Sequence, residues 1–118
     1  MPSWRFDHIS AVTLAVRDMA ESVAFYARLG LEVEYGGPHA AFTTMRAGQS
    51  FINLREVPAS AHHRGIRVIL RVHGVDAFHG NLVEKGLAPA KPQDADWGER
   101  YFEVLDPQGV VISFAEPL

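Results

Sequence analysis

The sequence predicts an α+β fold built from two βαβββ modules, and three observations carry that prediction. Apolar residues alternate with period two over several short segments, the signature of half-buried strands. Two stretches with helical spacing interrupt those segments. The order then repeats: Gly30 and Gly86, Leu31 and Leu87, Val16 and Val72, and Leu14 and Leu70 each stand 56 positions apart (86 − 30). In the last two strands the offset grows to about 60, pairing Leu54 with Phe114. A duplicated unit of this size cannot bury its sheet alone, so two copies must pair, within the chain or across a dimer.

Residues 9–17 read as the first strand, with Val12, Leu14 and Val16 on one face and the small Ala11, Thr13 and Ala15 on the other. Asp18 followed by Glu21 forms a capping-box-like start. The segment "DMAESVAFYARLG" then runs helically to Gly30, which suits the C′ position. "LEVEY" is a strand, "GGPH" a turn, and "AAFTTMR" and "SFINLREV" are strands joined around Ala47 and Gly48. "PASAHHRG", residues 58–65, carries no period and reads as a linker between module one (9–57) and module two (66–116). "IRVILRV" reopens the pattern as a strand, followed by the helix "GVDAFHGNLVEKG" and a weak short strand, "LAPA". "GERYFEVL" and "VVISFAE" close it as a hairpin around "DPQG", with Asp at i, Pro at i+1 and Gly at i+3 of a type I turn.

The bulk numbers narrow the function. A length of 118 residues suits one domain. A formal charge of −3 leaves no basic excess for nucleic acid or an anionic membrane. The absence of Cys removes disulfides, thiolate nucleophiles and thiolate-rich zinc sites. No apolar run approaches a membrane span, so the expected setting is the cytoplasm. The sequence has no G-x-S-x-G elbow, P-loop or G-x-G-x-x-G. Its six histidines form no metal-ligand motif such as H-E-x-x-H. His62 and His63 sit in the linker, His79 is expected near the solvent side of its helix, and His39 lies in the "GGPH" turn.

The segments "VTLAVRDMAESVAFYARLGLEV" and "WGERYFEVLDPQGVVISF" resemble the vicinal oxygen chelate superfamily, which includes glyoxalase I, the extradiol dioxygenases and the fosfomycin and bleomycin resistance proteins. The second segment is most similar to the bleomycin-resistance branch. The resemblance implies that each module forms a curved half-sheet, that the half-sheets enclose a cleft, and that the protein is a homodimer. Strand alternation within such a fold turns Ala11, Thr13, Ala15, Thr43, Met45, Phe51, Asn53 and Arg55 toward the cleft, with Arg67, Ile69, Arg71, Tyr101, Glu103, Val111 and Ser113 opposite. It assigns Phe25, Leu29, Phe42, Phe78, Leu82 and Phe102 to the layer between sheet and helices.

Family members that do chemistry hold a divalent cation through His and Glu or Gln at four strand positions. Matched residue by residue, these correspond here to Ala11, Asn53, Arg67 and Ser113. Ala11 has no donor atom, Arg67 carries a permanent positive charge, and Asn53 and Ser113 are weak neutral donors. The resemblance therefore implies no metal, no other cofactor and no metal-dependent catalysis. What it leaves is a small-molecule binding protein that sequesters an aromatic or antibiotic-like ligand, with Trp97, Tyr101, Glu103, Arg67, Asn53, Phe51, Met45 and His39 as ligand contacts. Lid packing for Trp97, and a salt bridge across the barrel for Arg67 and Glu103, are the competing structural roles. Trp4 is expected to anchor the N-terminal tail. A metal-dependent lyase or dioxygenase with a non-standard metal shell is the alternative function. A module acting only through dimer contacts is a third.

Overall fold

Asp18 opens the first helix as its short acceptor side chain favours, taking the Glu21 backbone N–H at 3.0 Å. This contact, like the others below, comes from the computed structural model, which describes residue 3, residues 5–58 and residues 66–118. The chain divides into two units, Met1–Pro58 and Ala59–Leu118. Residues 59–65 of the expected linker, with His62 and His63, and Trp4 lie outside the described residues.

The first unit runs β1 (Ala11–Val16), α1 (Met19–Leu29), β2 (Glu32–Tyr35), β3 (Phe42–Ala47) and β4 (Ser50–Glu56). Its sheet has the order β1-β4-β3-β2, with β1 and β4 parallel and the other pairs antiparallel. Leu14, Val16, Met45, Ile52 and Leu54 bury one face of this sheet, and Met19, Val23, Tyr26 and Leu29 bury the facing stripe of α1. Gly30 ends the helix in the left-handed region at φ 106°. Gly36 is also required as glycine. Its φ is 82°, and a Cβ there would stand 2.3 Å from the Phe42 carbonyl oxygen. That close approach lets the buried Thr43 hydroxyl accept from Gly37 N–H at 3.0 Å and donate to Gly37 C=O at 2.9 Å.

The second unit repeats the plan with β5 (Arg67–Arg71), α2 (Val75–Glu84), β6 (Gln93–Asp94), β7 (Glu99–Leu105) and β8 (Val111–Pro117), ordered β5-β8-β7-β6. Again the first and last strands pair in parallel. Phe102, Phe114 and Phe78 form a ring cluster, with centroids 4.8–6.0 Å apart, between the sheet and α2. Asp106 anchors the hairpin turn by accepting from Gln108 and Val110 N–H, both at 2.8 Å, and Gly109 N–H closes the turn onto Asp106 C=O at 2.9 Å.

Four expectations need correction. Met45 and Thr43 lie on the helix-covered face, because β3 pairs Met45 with Ile52 and Thr43 with Leu54. The same register turns Phe42 the other way, beside Arg55 and 37% exposed, so it is not a core residue. "LAPA" forms no strand. Pro89 and Pro92 remove two donors, one bond from Ala90 N–H to Glu103 C=O survives, and pairing begins only at Gln93. His79 does not face solvent: its ring stands edge-on to Phe102 at 5.1 Å, and its Nε2 is buried without a hydrogen-bond partner among the described residues.

Both helices are capped from the sheet as well. Glu56, at the end of β4, accepts from Met19 N–H at 3.1 Å. Glu116, near the end of β8, accepts from Val75 N–H at 2.8 Å and Gly74 N–H at 3.0 Å. The Glu116 contacts matter because Gly74 at the α2 N-cap has no side chain to cap with. Those N–H groups, Val75's first and Gly74's second, hold the Glu116 carboxyl below its ordinary 4.5. A lowered folded-state pKa adds stability that is present above pH 4.5 and is lost as pH falls through the folded value. Glu116→Ala should therefore lower Tm at pH 7, and the gap to the wild type should close as the pH is taken well below 4.5. Thermal melts followed by circular dichroism across that range test this.

Candidate functional site

Each sheet has one face against its own helix and one face free of it, and most of the expected ligand contacts fall on the helix-free faces. In the first unit that face carries Ala11, Thr13 and Ala15 of β1, Phe51, Asn53 and Arg55 of β4, and Phe42, Thr44 and Arg46 of β3. Asn53 is tied down from both sides: its Oδ1 accepts from the Thr44 hydroxyl at 2.7 Å and its Nδ2 donates to Thr13 Oγ1 at 3.3 Å. Thr44 was not singled out by sequence, yet it replaces Met45 in this row. Arg46 pairs with Glu32 at 3.3 Å and Glu34 at 3.6 Å. His39 is exposed in the turn that Ala40 N–H closes onto Gly37 C=O at 3.1 Å.

The second unit holds the denser arrangement. Three register rows cross its helix-free face: Arg67, Val111 and Leu105; Ile69, Ser113 and Glu103; and Arg71, Ala115, Tyr101 and Gln93. Arg67 and Glu103 form an ion pair and a hydrogen bond along this one sheet. Trp97 projects from the short loop between β6 and β7, a loop closed by Gly98 N–H on Ala95 C=O at 3.1 Å and Ala95 N–H on Glu99 C=O at 2.7 Å. Gly98 takes φ 92° there. The indole lies over the Tyr101 ring, with centroids 5.5 Å apart and planes 33° apart.

Two further contacts fix these rings: Trp97 Nε1 donates to Glu99 Oε1 at 2.8 Å, and Gln93 Nε2 donates to the Tyr101 hydroxyl at 2.8 Å. Trp97 nevertheless remains 67% exposed, and Ile69 61%. The result is a tilted pair of aromatic rings with its polar edges already oriented, on the same face as an oriented ion pair and an exposed aliphatic side chain. Such a surface suits a planar ligand with a few polar substituents, and it holds no nucleophile–base pair. Gln93 and Glu99 were missed by sequence reading. Only the β6–β7 pairing reveals them, since Gln93 reaches Tyr101 from eight positions away.

At the four positions that the resemblance matches to chelating residues, the individual donors are poor ones for a cation. Ala11 has no donor, Asn53 is held by two threonines, Arg67 is a cation paired with Glu103, and Ser113 is a lone buried hydroxyl. Among the described residues, no cluster of three or more His, Asp or Glu side chains is placed to hold a metal ion.

On the α2 side of the second unit, Arg100 chelates Asp76 through Nε at 3.0 Å and a terminal nitrogen at 2.9 Å, and reaches Asp94 at 2.9 Å. This hydrogen-bonded guanidinium holds the Asp76 carboxyl below its ordinary value. The Arg100 cluster ties α2 to β6 and β7 and stands apart from the rows above.

Arg67 and Glu103 keep 48% and 31% of their side chains in solvent, so the pair is screened. A double-mutant cycle of Arg67→Gln and Glu103→Gln should give a stability coupling below about 1 kcal/mol. Urea denaturation of the four proteins measures it.

Comparison with known proteins agrees with this architecture. Comparison with curated proteins gives no significant match. Among solved structures, a bleomycin-binding protein complexed with bleomycin superposes with a TM-score of 0.79 at 19% identity, covering 96% of this chain and 100% of that one. A bleomycin resistance determinant encoded on the transposon Tn5 superposes with a TM-score of 0.80 at 18% identity, covering 94% and 98%. TnmS3, an antibiotic binding protein from Streptomyces sp. CB03234, superposes with a TM-score of 0.76 at 25% identity, covering 98% and 99%. Residues 5–114 match the sequence profile of the same family. The chain belongs to the Glyoxalase/Bleomycin resistance protein/Dioxygenase superfamily.

Proposed function

We propose that the protein binds a small aromatic or antibiotic-like molecule and does so without a resident metal. The observation that carries this reading is the Trp97–Tyr101 platform. Trp97 stays largely in solvent, Tyr101 against it is half-buried, and their polar atoms are bonded to Glu99 and Gln93. A monomer gains nothing by leaving such an oriented ring surface in water, whereas a flat ligand would bury it. Arg67 and Glu103 then serve to orient polar substituents, and Asn53 and Phe51 play the same parts in the first unit. The family's bleomycin-binding and antibiotic-binding members give this reading its chemical precedent.

The metal-free half of the proposal rests on the donor set. Ala11 and Arg67 stand where a chelating family member needs neutral or anionic donors, and a guanidinium cannot deprotonate to become one. Elemental analysis of protein purified without chelator should find Fe, Zn, Mn and Ni each far below one equivalent. A near-stoichiometric value for any of them would favour a metal-dependent lyase or dioxygenase instead.

Trp97→Ala should weaken binding of polycyclic and quinone ligands by about 10- to 100-fold, the range expected on removing a central aromatic contact. Melting temperature should barely change, because the side chain is mostly in solvent. Isothermal titration calorimetry of the two proteins against one ligand panel measures the first effect, and thermal melts the second.

A further inference from the structure

Five arginines stand on strands, and three of them have acidic partners: Arg46 with Glu32 and Glu34, Arg67 with Glu103, and Arg100 with Asp76 and Asp94. Arg55 and Arg71 differ. Among the described residues, neither side chain takes part in a hydrogen bond, ion pair or ring contact. Both sit on helix-free faces, each in a row with one alanine and one ring: Ala15, Arg55 and Phe42 in the first unit, and Arg71, Ala115 and Tyr101 in the second. Among the described residues, only the second row leads on to a second ring, through Tyr101 to Trp97.

Among the described residues, no carboxylate is paired with Arg71. The residues across its row are Ala115, Tyr101 and Gln93. On the same face, Glu103 is taken by Arg67 and Glu99 by the Trp97 indole N–H. Glu116 follows Ala115 in sequence but turns to the other face, where it caps α2. Arg71 lies two strand spacings from Tyr101, roughly 9–10 Å. Among the described residues Arg71 makes no cation–π contact with that ring, and the strand spacing is comparable to the length of a fused-ring skeleton. Ala115 between them is small and itself buried.

Resting on the binding role proposed above, we propose that the ligand is a planar aromatic anion. Its ring system lies on the Trp97–Tyr101 platform, and its carboxylate, or a group of like charge, pairs with the guanidinium of Arg71. Planar bidentate recognition of a carboxylate is what a guanidinium does better than an ammonium.

Three probes that share one skeleton test this: anthraquinone-2-carboxylate, the matching carboxamide and the matching aminomethyl cation. Each is titrated calorimetrically into the wild type, Arg71→Gln and Arg71→Lys. The carboxylate should bind about tenfold more tightly than the carboxamide, the scale of one charge-assisted contact at a partly exposed site, and the cation more weakly than either. Arg71→Gln should abolish the preference while leaving carboxamide affinity unchanged, which also shows that the variant is folded. Arg71→Lys should keep part of the preference, and added salt should shrink it. Equal binding of all three probes, or a preference that survives Arg71→Gln, would overturn the anion assignment and leave the binding role standing. If none of the three binds, the binding role fails and the assignment fails with it.

Discussion

The parallel pairing of the first and last strand in each unit is the constraint on which the rest depends. A parallel pair cannot be closed by a tight turn, so the chain must cross over, and α1 and α2 lie in those crossovers. The crossover puts a helix on one face of each sheet and leaves the other face without one. It also brings the end of the last strand under the start of the helix. This explains why Glu56 and Glu116 cap the helices from positions 37 and 41 residues away. Capping, core and candidate site are consequences of one strand order used twice.

Duplication has not kept the two faces equivalent. Each has a polar hub, Asn53 with two threonines in the first unit and Arg67 with Glu103 in the second. The first hub is neutral, with one Asn53 N–H and one acceptor contact used within the protein; the second is charged and partly in solvent. Among the described residues, only the second unit adds an indole from a loop beside its sheet. The chemistry available to a ligand is therefore concentrated there, while the first unit offers Phe42, Phe51 and Arg55.

The four positions that the resemblance matches to chelating residues carry a different donor set, Ala11, Asn53, Arg67 and Ser113. A cation needs several oriented lone pairs in one place. Here one position has lost its donor altogether, and another carries a cation held by Glu103. The hydrogen-bonding capacity of these strands is spent within the protein, on Thr13, Thr44 and Glu103. The residues left with capacity to spare, Arg71 above all, lie at the edges of the rows.

The sequence by itself determined the repeat, the element order, both helices and the hairpin turn. Each of these rests on chemistry local to a few residues: the spacing of apolar side chains, the Asp18 cap, Gly30 and the Asp-Pro-Gln-Gly turn. The family resemblance was legible too, and with it the unsuitability of Ala11 and Arg67 as chelators. Tertiary structure alone decided which face of β3 is inside, because a one-residue shift in register exchanges Met45 for Thr44 and no local signal in "AAFTTMR" fixes that register. It alone joined Gln93 to Tyr101 and Glu116 to α2, since partners distant in sequence meet only through strand pairing. It alone separated the strand arginines that have partners from Arg55 and Arg71, which have none among the described residues, because a guanidinium's state depends on which carboxylates the fold brings within reach.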